Sequence, residues 1–269
     1  MEEKQRHFVL VHGSCHGAWC WYKVVTLLKS AGHKVTALDL AASGVHPKQV
    51  QELRSISDYF EPLMKFMMSL PAEERVILVG HSFGGLTVSI AMERFPEKIY
   101  TGVFTAATMP GPDFTYTTAR EEYARRIDTY MDTQYTYDDG PNNPPASLLF
   151  GPNFMSAKLY QLSPPEDLIL GMMLIRPNRL YSNAAIQIEA ELTKERHGSV
   201  PRIYVVCGQD NIVKEDLQRW MIQENPPDEV KLISDSDHMV MFSKPQELCS
   251  YLKEIANKFL NIFPESVVE

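Results

Sequence analysis

Three side chains in this sequence could together make a hydrolytic centre: Ser82, Asp210 and His238. A serine hydroxyl is a poor nucleophile until a base takes its proton, and that base needs a third group to hold its tautomer. Ser82 stands in Gly80-His81-Ser82-Phe83-Gly84, a G-x-S-x-G pattern. The bare pattern is weak. Here it follows the apolar run Val76-Ile77-Leu78-Val79 and leads into a helical-looking segment, residues 85–95. A buried strand, a tight turn and a helix form the setting that lifts a serine hydroxyl above a sheet in a strained backbone conformation. Gly80 and Gly84, two residues either side, let strand and helix approach without Cβ clashes.

Asp210 lies just past a strand-like run, residues 202–207, and His238 follows another, residues 230–233. Of the eight histidines, His238 alone follows a late strand in the order serine, acid, histidine. Asp235 and Asp237 are rivals for the acid. Asp237 adjoins His238 in sequence, a poor arrangement for turning a carboxylate onto the ring Nδ1, so Asp210 is the better candidate. Singly, an aspartate in a G-x-D turn often only shapes the turn, and a histidine is often just a satisfied polar group. Their joint order carries the reading. The negative charge of an acyl-transfer intermediate needs backbone N–H donors. Phe83, after the nucleophile, should supply one, and Ser14 in the loop after the first strand the other. Gly13 keeps that approach free of a side chain.

Positioning these groups takes a parallel sheet. Strands are predicted at residues 7–11, 33–40, 76–79, 99–106, 202–207 and 230–233. Helices are predicted at 19–30 (closed by Gly32), 56–70 (Ser57 as N-cap), 85–95, 217–223 and 245–259 (Ser243 as N-cap). Strands alternating with helices at this spacing indicate βαβ units and an α/β fold. The rhythm breaks after Ala107. Residues 108–199 hold Pro141, Pro144, Pro145, Pro152, Pro164, Pro165 and Pro177 among many Tyr, Met and Leu. That stretch reads as an inserted cap of short helices with a small hairpin, over a core of residues 1–107 and 200–269. Part of its soft apolar side chains should line a pocket.

The 269 residues carry a net charge of −8, from 26 basic and 34 acidic residues, with no basic cluster, which argues against a nucleic-acid partner. No apolar run has the length to cross a bilayer. The start MEEKQRH is charged and runs straight into a strand, unlike a secretory signal, and the ending FPESVVE carries no lipidation motif. Cys15, Cys20, Cys207 and Cys249 are scattered rather than set at metal-ligand spacing. A reducing, cytoplasmic setting with buried thiols is expected, and no metal or cofactor is called for.

The stretches HFVLVHGSCHGAW, GHKVTALDLAASG, VILVGHSFGG and SDHM resemble the plant methylesterase and α-hydroxynitrile lyase family of α/β-hydrolases. The likeness spans nearly the whole chain, including LLFGPNFM and LIRPNRLY in the cap, and is strongest to the branch of polyneuridine aldehyde esterase and the salicylate-binding methylesterases. It implies a six-stranded, mainly parallel sheet, a cap over Ser82, the triad Ser82, Asp210 and His238, hydrolysis of small plant methyl esters, and compatibility with a homodimer. The lyases carry Thr where Gly13 stands and Lys where Met239 stands; Gly13 and Met239 therefore point to the esterase branch. A lyase or another repurposed catalyst, and a small-molecule receptor with slow turnover, are the competing readings. Methyl jasmonate, methyl salicylate, methyl indole-acetate and alkaloid methyl esters all fit as the substrate.

Overall fold

The computed structural model describes residues 5–260, with the backbone alone for residues 259 and 260. Residues 1–4 of the charged start and the C-terminal FPESVVE lie outside the described residues. Apolar, β-branched runs form β1 (His7–Val11), β2 (Lys34–Leu38), β3 (Val76–His81) and β4 (Ile99–Thr105). Every residue of β1 and β3 is buried, as in strands covered by helices on both faces. After β4 the chain leaves this sheet and forms three short antiparallel strands, β5 (Gln134–Thr136), β6 (Ser147–Leu149) and β7 (Asn178–Arg179). It returns through β8 (Arg202–Cys207) and β9 (Glu229–Ile233). The main sheet has six strands in the order β2-β1-β3-β4-β8-β9, and every neighbouring pair is parallel. All six carboxyl ends therefore share one edge.

The helices follow the apolar stripes. A 3-10 turn, Ala18–Trp21, runs into α1 (Tyr22–Ser30), and Gly32 takes φ +84° to close it. Next comes α2 (Ile56–Ser69), capped by Ser55 rather than Ser57. The Ser55 side chain accepts from Asp58 N–H while Asp58 reaches back to Ser55 N–H, a capping box that the shifted register would lose. Behind the elbow, α3 (Gly84–Arg94) is buried from Gly84 to Met92. Burying side chains such as Leu86, Ile90 and Met92 stabilises the fold by about 1.5–3 kcal/mol each. Ser243 also departs from expectation. It ends a short helix, Val240–Ser243, donating its N–H to Met239 O, and Lys244 precedes the C-terminal helix Pro245–Leu260.

Between β4 and β8 lie α4 (Tyr116–Arg126) and shorter helices at Pro152–Phe154, Met155–Leu159, Pro165–Leu174 and Asn183–Glu189. This stretch is tied to the sheet domain by partly buried polar contacts. Asp167 accepts from Tyr22 Oη (2.9 Å) and Lys23 Nζ (2.5 Å). Arg176 donates to the carbonyls of Gly44, His46 and Lys48. Among the described residues no helix is long and apolar enough to cross a membrane.

Candidate active site

Four loops at the shared strand edge bring the sequence-predicted groups together. Ser82 follows β3 immediately and has φ +54°, a left-handed conformation that a non-glycine residue adopts at a cost. The turn is held by hydrogen bonds on both sides: Ser82 N–H donates to Thr105 O at 3.3 Å, and Ser82 O accepts from Gly85 and Thr108 N–H at 3.1 Å each. Gly84 is required for packing. A Cβ there would stand 2.5 Å from His12 O, so the start of α3 could not sit against the end of β1.

Asp210 and His238 come from the loops after β8 and β9. The Asp210 carboxylate is buried and fully engaged. Its Oδ1 accepts from the N–H groups of Ile212 (2.7 Å) and Val213 (2.8 Å), and its Oδ2 lies 2.6 Å from His238 Nδ1. Since a carboxylate only accepts, Nδ1 carries the proton and Nε2 is the free base. Asp237 turns the other way: its Oδ2 accepts from Leu162 N–H (2.9 Å) and Ser163 Oγ (2.8 Å), so it docks the inserted segment. Burial pushes its pKa up.

Ser82 and His238 border one cavity of about 320 Å³, within the range of small-ligand sites. The Ser82 hydroxyl has no hydrogen-bond partner among the described residues; a serine–histidine contact commonly tightens only once substrate is bound. Gly13, Ser14, Phe83 and Met239 border the same cavity. The backbone N–H groups of Ser14 and Phe83 are taken by no other group among the described residues. Cys15 at φ +63° bends the Ser14 loop, and Cys15 O accepts from Arg176 N–H at 2.9 Å. The apolar wall includes Phe150, Phe154, Leu159, Leu217 and Met221. His16 also faces the cavity; it bonds Ser14 O (2.8 Å) and Tyr160 Oη (2.7 Å), and burial lowers its pKa to about 3, so it stays neutral.

Two supporting residues escaped the sequence reading. Gln218, fully buried, accepts from Cys207 N–H and donates to the carbonyls of Cys207 and Val213, pinning the loop that carries Asp210. A polar residue beside Leu217 on the inward face of its helix was the available signal. His81 contacts the His238 loop from within the elbow itself; the pattern position that it fills accepts any residue, so the motif gave no hint.

A strained serine on the strand–helix turn of a parallel sheet, with a carboxylate–histidine pair on later strand ends, is the architecture of an α/β hydrolase. The chain belongs to the alpha/beta hydrolase family, whose sequence profile matches residues 8–250. It is 61% identical over 260 residues to methyl jasmonate esterase 1 of Vitis vinifera, covering 96% of this chain and 100% of that protein. Polyneuridine aldehyde esterase of Rauvolfia serpentina is 44% identical over 257 residues, 95% of this chain and 97% of that one. The crystal structure of tomato methylketone synthase I complexed with 2-tridecanone superposes with a TM-score of 0.92 at 50% identity, covering 95% of this chain and 99% of that one.

Proposed function

We propose that this protein is a serine carboxylesterase that hydrolyses the methyl esters of small plant acids through an acyl-enzyme. The observation that carries the reading is the 2.6 Å contact of His238 Nδ1 with Asp210 at the cavity that Ser82 borders. Ser82 Oγ attacks the ester carbonyl carbon as its proton passes to His238 Nε2. The resulting oxyanion lies against the N–H groups of Ser14 and Phe83. Collapse breaks the bond to the methoxy group, which leaves as methanol with the proton from His238. Water then attacks the acyl-enzyme, gives a proton to His238, and releases the acid as Ser82 regains its hydrogen. Asp210 holds the imidazole tautomer and stabilises the imidazolium throughout.

Residues 108–199 act in this reading as the cap that shapes the acyl pocket. The name of the relative methyl jasmonate esterase 1 supports methyl esters, methyl jasmonate among them, as the substrates to test first. Gly13 and Met239 favour ester hydrolysis over cyanohydrin cleavage, since neither brings a hydroxyl or a cation to the cavity. A cytoplasmic location fits four cysteines that are all buried and unpaired.

The test is methanol release from methyl jasmonate, methyl salicylate and methyl indole-acetate by the wild type and by Ser82→Ala. The variant should lose on the order of 10³-fold or more in kcat while product acid still binds. Retention of most activity in Ser82→Ala would remove Ser82 as nucleophile. Tight binding of the acids by a wild type that releases no methanol would favour the receptor reading.

A further inference from the structure

The cavity wall supplied by α4 differs in chemistry from the rest. Tyr116, Ala119, Arg120 and Tyr123 recur at helical spacing and all border the cavity. Arg120 is half-buried there, and its partners are neutral: Nη1 donates to Tyr181 O at 2.8 Å and to Asn183 Oδ1 at 3.0 Å. Two other arginines nearby are paired with carboxylates. Arg126 on the same helix holds Glu122 and Asp216, and Arg179, also at the cavity, holds Asp138. Arg120 has no carboxylate partner among the described residues, in a chain whose acidic residues outnumber its basic ones. Burial raises the pKa of Tyr116 and Tyr130, both at the cavity, and the nearby Arg120 charge opposes that rise.

A guanidinium carries five N–H donors in a fixed fork and stays charged at every working pH. Among the described residues only its Nη1 is engaged, and drawing such a group to the wall of a cavity is costly unless an acceptor meets the remaining donors. We infer that the acyl group of the substrate carries a hydrogen-bond-accepting oxygen away from the ester, a ketone carbonyl or a second carboxylate, and that Arg120 binds it. The methyl ester end then lies at Ser82, the hydrocarbon body against Phe150, Phe154 and Leu217, and the distal oxygen at α4. A cavity that hydrogen-bonds a substrate group rejects the analogue lacking it far more strongly than an apolar wall discriminates by size. This inference deepens the esterase reading and rests on it.

The experiment compares kcat/KM for three methyl esters of matched size, bearing a distal ketone, a distal carboxylate or only hydrocarbon. The enzymes are the wild type, Arg120→Met and Arg120→Lys. The wild type should favour at least one oxygen-bearing ester over the hydrocarbon one by about 10-fold or more, and the ketone and carboxylate arms decide which oxygen is read. Arg120→Met should collapse that preference, chiefly through KM, and Arg120→Lys should keep part of it. Equal wild-type rates on all three esters, or a preference that survives in Arg120→Met, would overturn the inference. Arg120 also braces α4 against Tyr181 and Asn183, so a second measurement separates binding from folding. In the Ser82→Ala background, calorimetry should show Arg120→Met weakening the distally oxygenated acid more than the hydrocarbon acid. If the wild type turns over no methyl ester at all, the esterase reading fails; the calorimetry then tests Arg120 alone, and the absence of an Arg120-dependent difference between the acids would overturn its binding of a distal oxygen.

Discussion

His81 donates its Nε2–H to the carbonyl oxygen of His238 at 2.8 Å, and the two rings lie 4.6 Å apart. A carbonyl can only accept, so this contact fixes the His81 tautomer and leaves Nδ1 as a bare lone pair, without a partner among the described residues. Burial and the neighbouring His238 hold the His81 pKa well below the ordinary value, so the ring is neutral. His81, which precedes Ser82, therefore tethers the backbone of His238, the proposed general base, to the elbow.

His81→Phe keeps the ring volume and deletes the donor. Misplacing a reacting group by an ångström typically costs up to about 10²-fold, so kcat should fall by about 10- to 100-fold with KM little changed. His81→Gln, whose side-chain amide can donate to the same carbonyl, should recover part of the loss. Equal kcat for the two variants would show that the hydrogen bond is not what positions His238.

Asp210 and Asp237 flank the same histidine with different duties. Asp210 receives two backbone N–H groups and His238 Nδ1. Asn at 210 would present an amide N–H to one of these donors and favour the wrong imidazole tautomer, at a cost on the order of 10⁴-fold in kcat. Asn at 237 can still accept from Leu162 N–H and Ser163 Oγ, and it removes a carboxylate that burial already disfavours. Its effect should stay within about 10-fold. Steady-state kcat for both variants decides the matter, and a larger loss from Asp237→Asn would reassign the acid.

How far the sequence could be read depended on whether one local pattern decided each feature. The strands β1, β3 and β8 are apolar runs bounded by turns, and Ser82, Asp210 and His238 lie in the loops after β3, β8 and β9, so their convergence needed only the parallel order. Gly13, Ser14 and Phe83 reach the cavity for the same reason. The inserted segment gave much less. Its strands are two or three residues long, too short for a period to place them, although β5 and β6 do pair as antiparallel neighbours. On α4 the sequence YTTAREEYARR looks like a solvated charged face; only the packing shows that Tyr116, Arg120 and Tyr123 turn toward the cavity. Ser55 and Ser57 are both competent caps, and the choice went to the one three residues before an aspartate.

Acid should destabilise this protein through histidines that are buried neutral. Burial lowers the pKa of His16 to about 3 and that of His197 to about 4, against an ordinary value of 6.5. The folded pKa is below the unfolded one, so the unfolded chain binds more protons and stability falls as pH drops. The contribution is whole above about pH 6.5 and is lost progressively down to the folded values. Both ring nitrogens of His197 are buried without partners among the described residues, so His197→Phe sacrifices no hydrogen bond. In urea titrations at pH 7 and pH 5 that variant should shrink the stability lost on acidification by about 2 kcal/mol. An unchanged loss would mean that His197 is protonated in the folded protein.

In the proposed reading, the space around Ser82 sets the branch between ester hydrolysis and cyanohydrin cleavage. A Cβ on Gly13 would stand 2.8 Å from Ser82 Cβ and 3.1 Å from His81 Nδ1. A threonine there pushes on Ser82 as well as on the approach to Ser14 N–H. Met239 is fully buried, and its N–H donates to Leu159 O at 3.4 Å. A lysine at that position would bring a cation next to His238 and lower its basicity, and burying the charge would cost stability. Gly13→Thr with Met239→Lys should therefore lose on the order of 10²- to 10³-fold in esterase kcat, the scale of a lost oxyanion donor. The wild type should cleave methyl esters with little or no cyanide release from mandelonitrile, and the double variant should gain weak release at most, because supporting groups also set lyase geometry. Both proteins are assayed with a methyl ester and with mandelonitrile, alongside a melting curve that reports whether the double variant is folded. Undiminished esterase activity in a folded double variant would show that positions 13 and 239 do not govern the oxyanion site.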